Sequence, residues 1–180
     1  MMAKVGIIFG TDTGFTRKVA KLMAKQLGKE LVPDKPVNIN RTTVDEFLAY
    51  DALILGTPTY GEGSLPGIDS GITAGSWAEF LPKLADNELN GKVVALFGFG
   101  DQAKYSERFV SAMGLLHDVL IEKGARVIGQ WPTDGYEFDH SDAVRDGMFV
   151  GLALDDKNQA LLTNQRISQW LEQITADLAA

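Results

Sequence analysis

The sequence has no cysteine, which excludes disulfides, thiolate metal sites and a cysteine nucleophile. Histidine is nearly as scarce. His117 falls in a helical stretch and His140 in an acidic loop, and neither has a second histidine at ligand spacing, so no metal site is expected. Asp134, Asp139, Asp142 and Asp146 lack the spacing and the bidentate glutamate of a calcium loop. No apolar run reaches the roughly 18 residues that span a bilayer. Met1-Met2-Ala3-Lys4 leads directly into a strand-like pattern, so no signal peptide and a cytoplasmic location are expected.

What is present reads as an ordinary globular chain. Apolar residues make up 45% of it and charged residues 23%, and 180 residues suit one domain, 1–180. The net charge of −7, from 17 basic and 24 acidic residues, disfavours nucleic acid and anionic membranes. It suits a basic patch on a protein partner, although acidity also serves solubility alone.

Apolar runs at residues 4–9, 52–57 and 92–98 predict buried strands, and Val37-Asn38-Ile39-Asn40 predicts a weaker one. Two more are expected at 127–131 and 149–154. Val19, Leu22, Met23 and Leu27 recur at helical spacing before Gly28, as do Phe109, Met113, Leu116 and Leu120 before Gly124. Thr43 should cap a short helix reaching Tyr50. Trp77, Phe80, Leu81 and Leu84 suggest a helix interrupted at Pro82. Ile167, Trp170, Leu171, Ile174 and Leu178 mark a C-terminal amphipathic helix. Trp131 and Trp170 are expected in or near the core, and Trp77 along a loop. This alternation predicts an α/β fold with a parallel sheet covered on both faces.

Ligands of such sheets bind beyond the carboxyl ends of the strands. Gly10-Thr11-Asp12-Thr13-Gly14-Phe15-Thr16 lies there, between the first strand and the first helix. Its glycines allow close backbone approach, its threonines supply hydroxyls, and the helix start supplies unpaired N–H groups, as a phosphate monoester requires. It lacks the Gly-Lys-Ser/Thr ending of a nucleotide triphosphatase loop. A threonine-capped helix without a ligand is the alternative. The loops after the third and fourth strands, residues 57–67 and 98–105, each place a tyrosine among glycines, Tyr60 and Tyr105. Two aromatic rings there could sandwich a planar heterocycle.

From Lys4 to about Leu178 the chain resembles a flavodoxin. The resemblance is carried by Thr11–Thr16, by Pro58-Thr59-Tyr60 and by Gly100-Asp101-Gln102 through Tyr105. Residues 133–138 and 149–155 resemble the long-chain subgroup, in which an inserted loop splits the last strand. The resemblance implies a doubly wound five-stranded parallel sheet of order 2-1-3-4-5. It also implies noncovalent FMN working as a low-potential one-electron carrier between semiquinone and hydroquinone, with no catalytic residue. Thr11, Asp12, Thr13, Gly14, Phe15 and Thr16 would then hold the phosphate. Tyr105 would stack on the outer flavin face and Tyr60 would cover the opposite one, with Pro58 and Thr59 binding the cofactor from the same loop as Tyr60. Backbone groups around Gly100 and Asp101 would meet the pyrimidine edge, the Gly61-Glu62 peptide would turn toward N5, and Gly63 and Phe99 would also lie at the cofactor. Phe15 stands where lysine is frequent and Tyr60 where tryptophan is frequent.

The stretch 66–75, between Gly-Glu-Gly and Ser76-Trp77, resembles flavodoxins of nitrogen fixation. That implies a reductase donor, the nitrogenase iron protein as acceptor, basic docking patches on both, and a monomer. An acidic rim of Glu62, Asp69, Asp101, Glu107, Asp134, Glu137 and Asp139 is expected to lower the flavin potential. One charge about 10 Å away through water contributes only about 0.4 kcal/mol. The competing reading on this fold is an FMN-dependent NAD(P)H:quinone reductase, for which no nicotinamide fingerprint is found. A signalling receiver is excluded because Gly10-Thr11 and Thr57-Pro58 stand where its aspartates belong.

Overall fold

A computed structural model describes residues 3–10 and 14–180. In chain order the strands are β1 (Val5–Phe9), β2 (Val37–Asn38), β3 (Ala52–Pro58), β4 (Val93–Phe99), β5 (Arg126–Ile128), β6 (Trp131–Pro132), β7 (Val144–Arg145), β8 (Met148–Phe149) and β9 (Leu152–Leu154). The helices are α1 (Gly14–Leu27), α2 (Val44–Leu48), α3 (Trp77–Phe80), α4 (Ser111–Glu122) and α5 (Thr163–Ala179).

The apolar runs are central strands. β1 is buried throughout, and β3 and β4 are buried over six of seven positions, as strands covered on both faces must be. They pair in parallel in the order β2-β1-β3-β4-β5. β4 has two partners on its outer side: Val93–Ala95 lie beside β5, and Phe97–Phe99 beside β9. The last position of the sheet is therefore filled by two short strands, the split that the resemblance implied. Between them the chain builds an antiparallel sheet of its own, β6-β8-β7.

Helix α1 buries Thr16, Val19, Ala20 and Met23, one stripe at helical spacing. Ile167, Trp170, Leu171, Ile174 and Leu178 do the same for α5, which packs beside α1. Helix α4 covers β3, β4 and β5. Thr43 Oγ1 accepts from Glu46 N at 3.1 Å and so caps α2, as expected.

Four local expectations are corrected. The strand at 37–40 ends at Asn38, whose side chain accepts from Asn40 N at 3.1 Å and starts a 3-10 turn. The expected strand 127–131 stops at Ile128, because Gly129 has a positive φ of 87° and Trp131 pairs with Phe149 in the small sheet. Likewise 149–154 divides between β8 and β9. Trp77 does not line a loop: it is fully buried, edge-on to Phe47 and Phe80. Its Nε1 donates to Gly56 O at 2.9 Å. A Cβ on Gly10 would stand 2.2 Å from Trp77 Cδ1, so glycine there makes room for the indole.

Candidate functional site

The loops after β3 and β4, with residues following β9, enclose a cleft of about 530 Å³ at the carboxyl edge of the sheet. That size is usual for a small-molecule site. It brings together Pro58, Thr59, Tyr60, Gly61 and Glu62 with Phe99, Gly100, Asp101 and Tyr105, all expected from the sequence. Gly63 lies behind the wall, buried in the turn, and does not line the cleft. Gly14, Phe15 and Thr16 open α1 outside the lining, and Phe15 packs edge-on to Phe99 with ring centroids 5.0 Å apart. Thr11, Asp12 and Thr13 lie outside the described residues.

The first wall is a tight turn closed on itself. Tyr60 N donates to Ser64 O at 3.0 Å, and Ser64 N donates to Tyr60 O at 2.7 Å. The turn is joined to α4 at its base, where Ala112 N donates to Thr59 Oγ1 at 3.2 Å.

The second wall is held from within. Asp101 Oδ1 accepts from Lys104 N at 2.9 Å and from Asn158 Nδ2 at 2.8 Å. Chiefly the Lys104 N–H, with the Asn158 amide adding to it, holds this carboxyl below the usual carboxylate range against the effect of burial. Beneath it Gln102 and Asp155 are almost fully buried. Asp155 Oδ2 accepts from Gln102 N, Gln102 Nε2 and Asn158 Nδ2, and its Oδ1 accepts from Lys157 N and Asn158 N. The insertion grips the same wall. Glu137 N donates to Gln102 Oε1, Asp139 N and His140 N donate to Ser106 O, and Phe138 and Phe149 pack on Phe109. Val110, buried and β-branched, follows Phe109 with a φ of 47°, a costly conformation for such a residue.

Tyr105 is 41% exposed, and the Lys104 ammonium and Arg108 guanidinium lie 5.3 and 5.2 Å from its ring centroid. Arg108 Nη1 also donates to Glu62 Oε2 at 3.1 Å. The expected acidic rim supplies only part of the lining of the cleft. Of its seven residues only Glu62 and Asp101 line the cleft, joined by Asp156 and interleaved with Lys104, Arg108 and Lys157. The loop after β9 supplies Asp156 and Lys157, which no local pattern near Tyr60 or Tyr105 could announce. Arg108 and Phe109 were likewise missed as lining residues, as was Asp155 as an anchor. The available signal was a pair of aspartates directly after an apolar strand, at the edge where ligands bind. Among the described residues, no group of three histidine, aspartate or glutamate side chains could hold a metal ion. No helix among them is long and apolar enough to cross a membrane.

The sheet order and this cleft define a doubly wound α/β protein with a small-molecule site at the carboxyl edge of its central strands. The family model described as Flavodoxin matches residues 7–170, and the chain belongs to the flavodoxin family. A flavodoxin of Klebsiella pneumoniae is 55% identical over 173 residues, covering 96% of this chain and 97% of that protein. One from Enterobacter agglomerans is 51% identical over 174 residues, covering 96% and 97%. Among solved structures, a Fusobacterium nucleatum flavodoxin bound to flavin mononucleotide aligns with a TM-score of 0.85 at 34% identity. That alignment covers 98% of this chain and 99% of the other.

Proposed function

We propose that the protein is a one-electron carrier that holds FMN noncovalently between the Tyr60 and Tyr105 loops and turns over no substrate of its own. The observation that carries this reading is a tyrosine from each of two neighbouring loops in one cleft of about 530 Å³. The lining fits the group. Phe99, Phe109 and the two tyrosine rings supply apolar contact, and glycine backbone at 61 and 100 leaves room at the rim for a flat ring. When bound, FMN supplies the one-electron chemistry at low potential. The chain's residues orient and enclose it. Tyr105 covers one ring face and Tyr60 the other. Pro58, Thr59, Gly61, Glu62 and Gly63 shape the inner side, and Phe99, Gly100 and Asp101 meet the polar edge. Residues 11–16 hold the phosphate with hydroxyls and amides and without a lysine of their own.

The whole chain acts as one unit, a cytoplasmic monomer, exchanging electrons with a reductase and with the nitrogenase iron protein through basic patches on those partners. The resemblance of residues 61–77 to flavodoxins of nitrogen fixation supports that acceptor. The net charge of −7 supports basic partners. The test is a visible spectrum of the purified protein during dithionite titration, followed by mixing the reduced form with nitrogenase iron protein. A yellow protein bleached in two one-electron steps is expected, then rapid reoxidation when it is freed of dithionite and mixed with the oxidised iron protein, which takes up the electron. A colourless protein that takes up no FMN overturns the cofactor reading, and a reduced form inert to the iron protein overturns only the acceptor.

A further inference from the structure

We propose that Arg108 is a positioning residue that latches the two walls of the cleft together and so sets how fast FMN enters and leaves. The inference rests on the reading of this cleft as an FMN site. Three observations on one side chain carry it. Arg108 Nη1 donates to Glu62 Oε2 at 3.1 Å, bridging from the loop after β4 to the turn after β3. Its guanidinium lies 5.2 Å from the centroid of Tyr105, within cation–π range. Its Nε is buried and makes no hydrogen bond, so the polar contacts of the head group are those made at its tip.

The two ends of this bridge differ in stiffness. Arg108 is built into a fixed segment: its N–H donates to Tyr105 O, its carbonyl accepts from Ser111 N, and Phe109 beside it is fully buried. Glu62 sits at the tip of the Tyr60–Ser64 turn with its side chain 90% exposed. The stiff element thus carries the cation and holds the projecting carboxylate. An exposed ion pair of this kind is weak. A weak latch suits a cofactor cleft, because it closes the mouth and still opens for exchange.

A latch and a plain charge effect predict opposite signs for one variant. The FMN phosphate is anionic, so electrostatics alone make Glu62→Gln slow FMN release and Arg108→Gln speed it. A latch makes either substitution speed release. The experiment is stopped-flow release of FMN from the loaded full-length protein, for Glu62→Gln, Arg108→Gln, the double variant, and the exchanged pair Glu62→Arg with Arg108→Glu. We expect release about two- to five-fold faster in both single variants, the range an exposed ion pair allows. The double variant should be no faster than the singles, and the exchanged pair should return toward wild type. Slower or unchanged release from Glu62→Gln overturns the latch, as does a double variant whose effect is the product of the singles. Urea unfolding of the apo variants guards against a folding defect. If Arg108→Gln lowers the midpoint, Glu62→Gln on its exposed turn decides alone. Wild-type protein that takes up no FMN overturns the cofactor reading. Protein that takes it up and shows opposite signs overturns only the latch.

Discussion

Asp155 Oδ2 accepts hydrogen bonds from both the backbone N and the side-chain Nε2 of Gln102, at 3.0 and 2.8 Å, across 53 residues of sequence. The pair ties the end of β9 to the loop after β4, so the wall bearing Tyr105 hangs from the far edge of the sheet. A buried carboxylate is costly unless its oxygens are fully partnered, and here both oxygens are occupied.

Replacing Asp155 with alanine leaves the N–H groups of Gln102, Lys157 and Asn158 without their acceptor. Buried donors stranded in this way cost about 1–3 kcal/mol each where water does not reach them. We expect Asp155→Ala to lose about 2–4 kcal/mol of stability and to weaken FMN binding more than tenfold. Urea unfolding of the apoprotein and fluorescence titration with FMN measure the two effects. Wild-type values in both would show that the anchor is dispensable.

Tyr105 offers a ring at the mouth of the cleft. Ring stacking adds about 0.5–1.5 kcal/mol to the burial term, so Tyr105→Ala should cost about 1–3 kcal/mol of FMN affinity, roughly 5- to 150-fold. Tyr105→Phe should stay within about threefold. The same titration checks both. Unchanged affinity in the alanine variant would remove Tyr105 from the site.

Gly114, inside α4, faces the insertion. A Cβ there would stand 2.2 Å from Asp142 O, a backbone atom that cannot swing aside. Alanine is the better helix former by about 1 kcal/mol, but overpacking costs about 1–3 kcal/mol, so the clash should win. Gly114→Ala is expected to be destabilised, with faster amide exchange across residues 132–149. A gain in stability would mean that the insertion sits loosely on α4.

Burial pushes the Tyr136 hydroxyl up to about 12 from its ordinary 10.0, and it does the same to Tyr50, with the Asp34 carboxylate adding to the shift. The folded state thus holds these protons more tightly than the unfolded chain. Their contribution is intact below about pH 10 and is lost as pH rises toward 12. The urea midpoint should fall across that window, and less steeply in Tyr136→Phe, which keeps the ring against Phe109 and Phe149. A flat profile over the same window would contradict these shifts.

Much of the fold is legible along the chain because its causes are local. Residues 5–9, 52–58 and 93–99 read as strands since burial on both faces demands unbroken apolar runs. The stripe from Ile167 to Leu178 reads as a helix because 3.6-residue periodicity places it on one face. The loops carrying Tyr60 and Tyr105 could be placed at the site because the carboxyl edge of such a sheet is where ligands sit. The turn Asp146-Gly147 between β7 and β8 has a positive φ at both residues, and its composition was a usable hairpin signal that the strand pattern around it obscured.

The sequence by itself determined the central apolar strands, the main amphipathic helices and the two loops that face each other across the cleft. Tertiary structure alone decided which polar groups meet there. Trp77 reads as a loop residue until Gly10 and Gly56 leave a buried slot for its ring and an acceptor for its N–H. Asp155 and Gln102, or Glu62 and Arg108, carry no mutual signature, because their separations of 53 and 46 residues are set by how the strands stack. Periodicity reports burial along one element. Hydrogen bonds and ion pairs between elements depend on register and depth, which exist only once the sheet has formed.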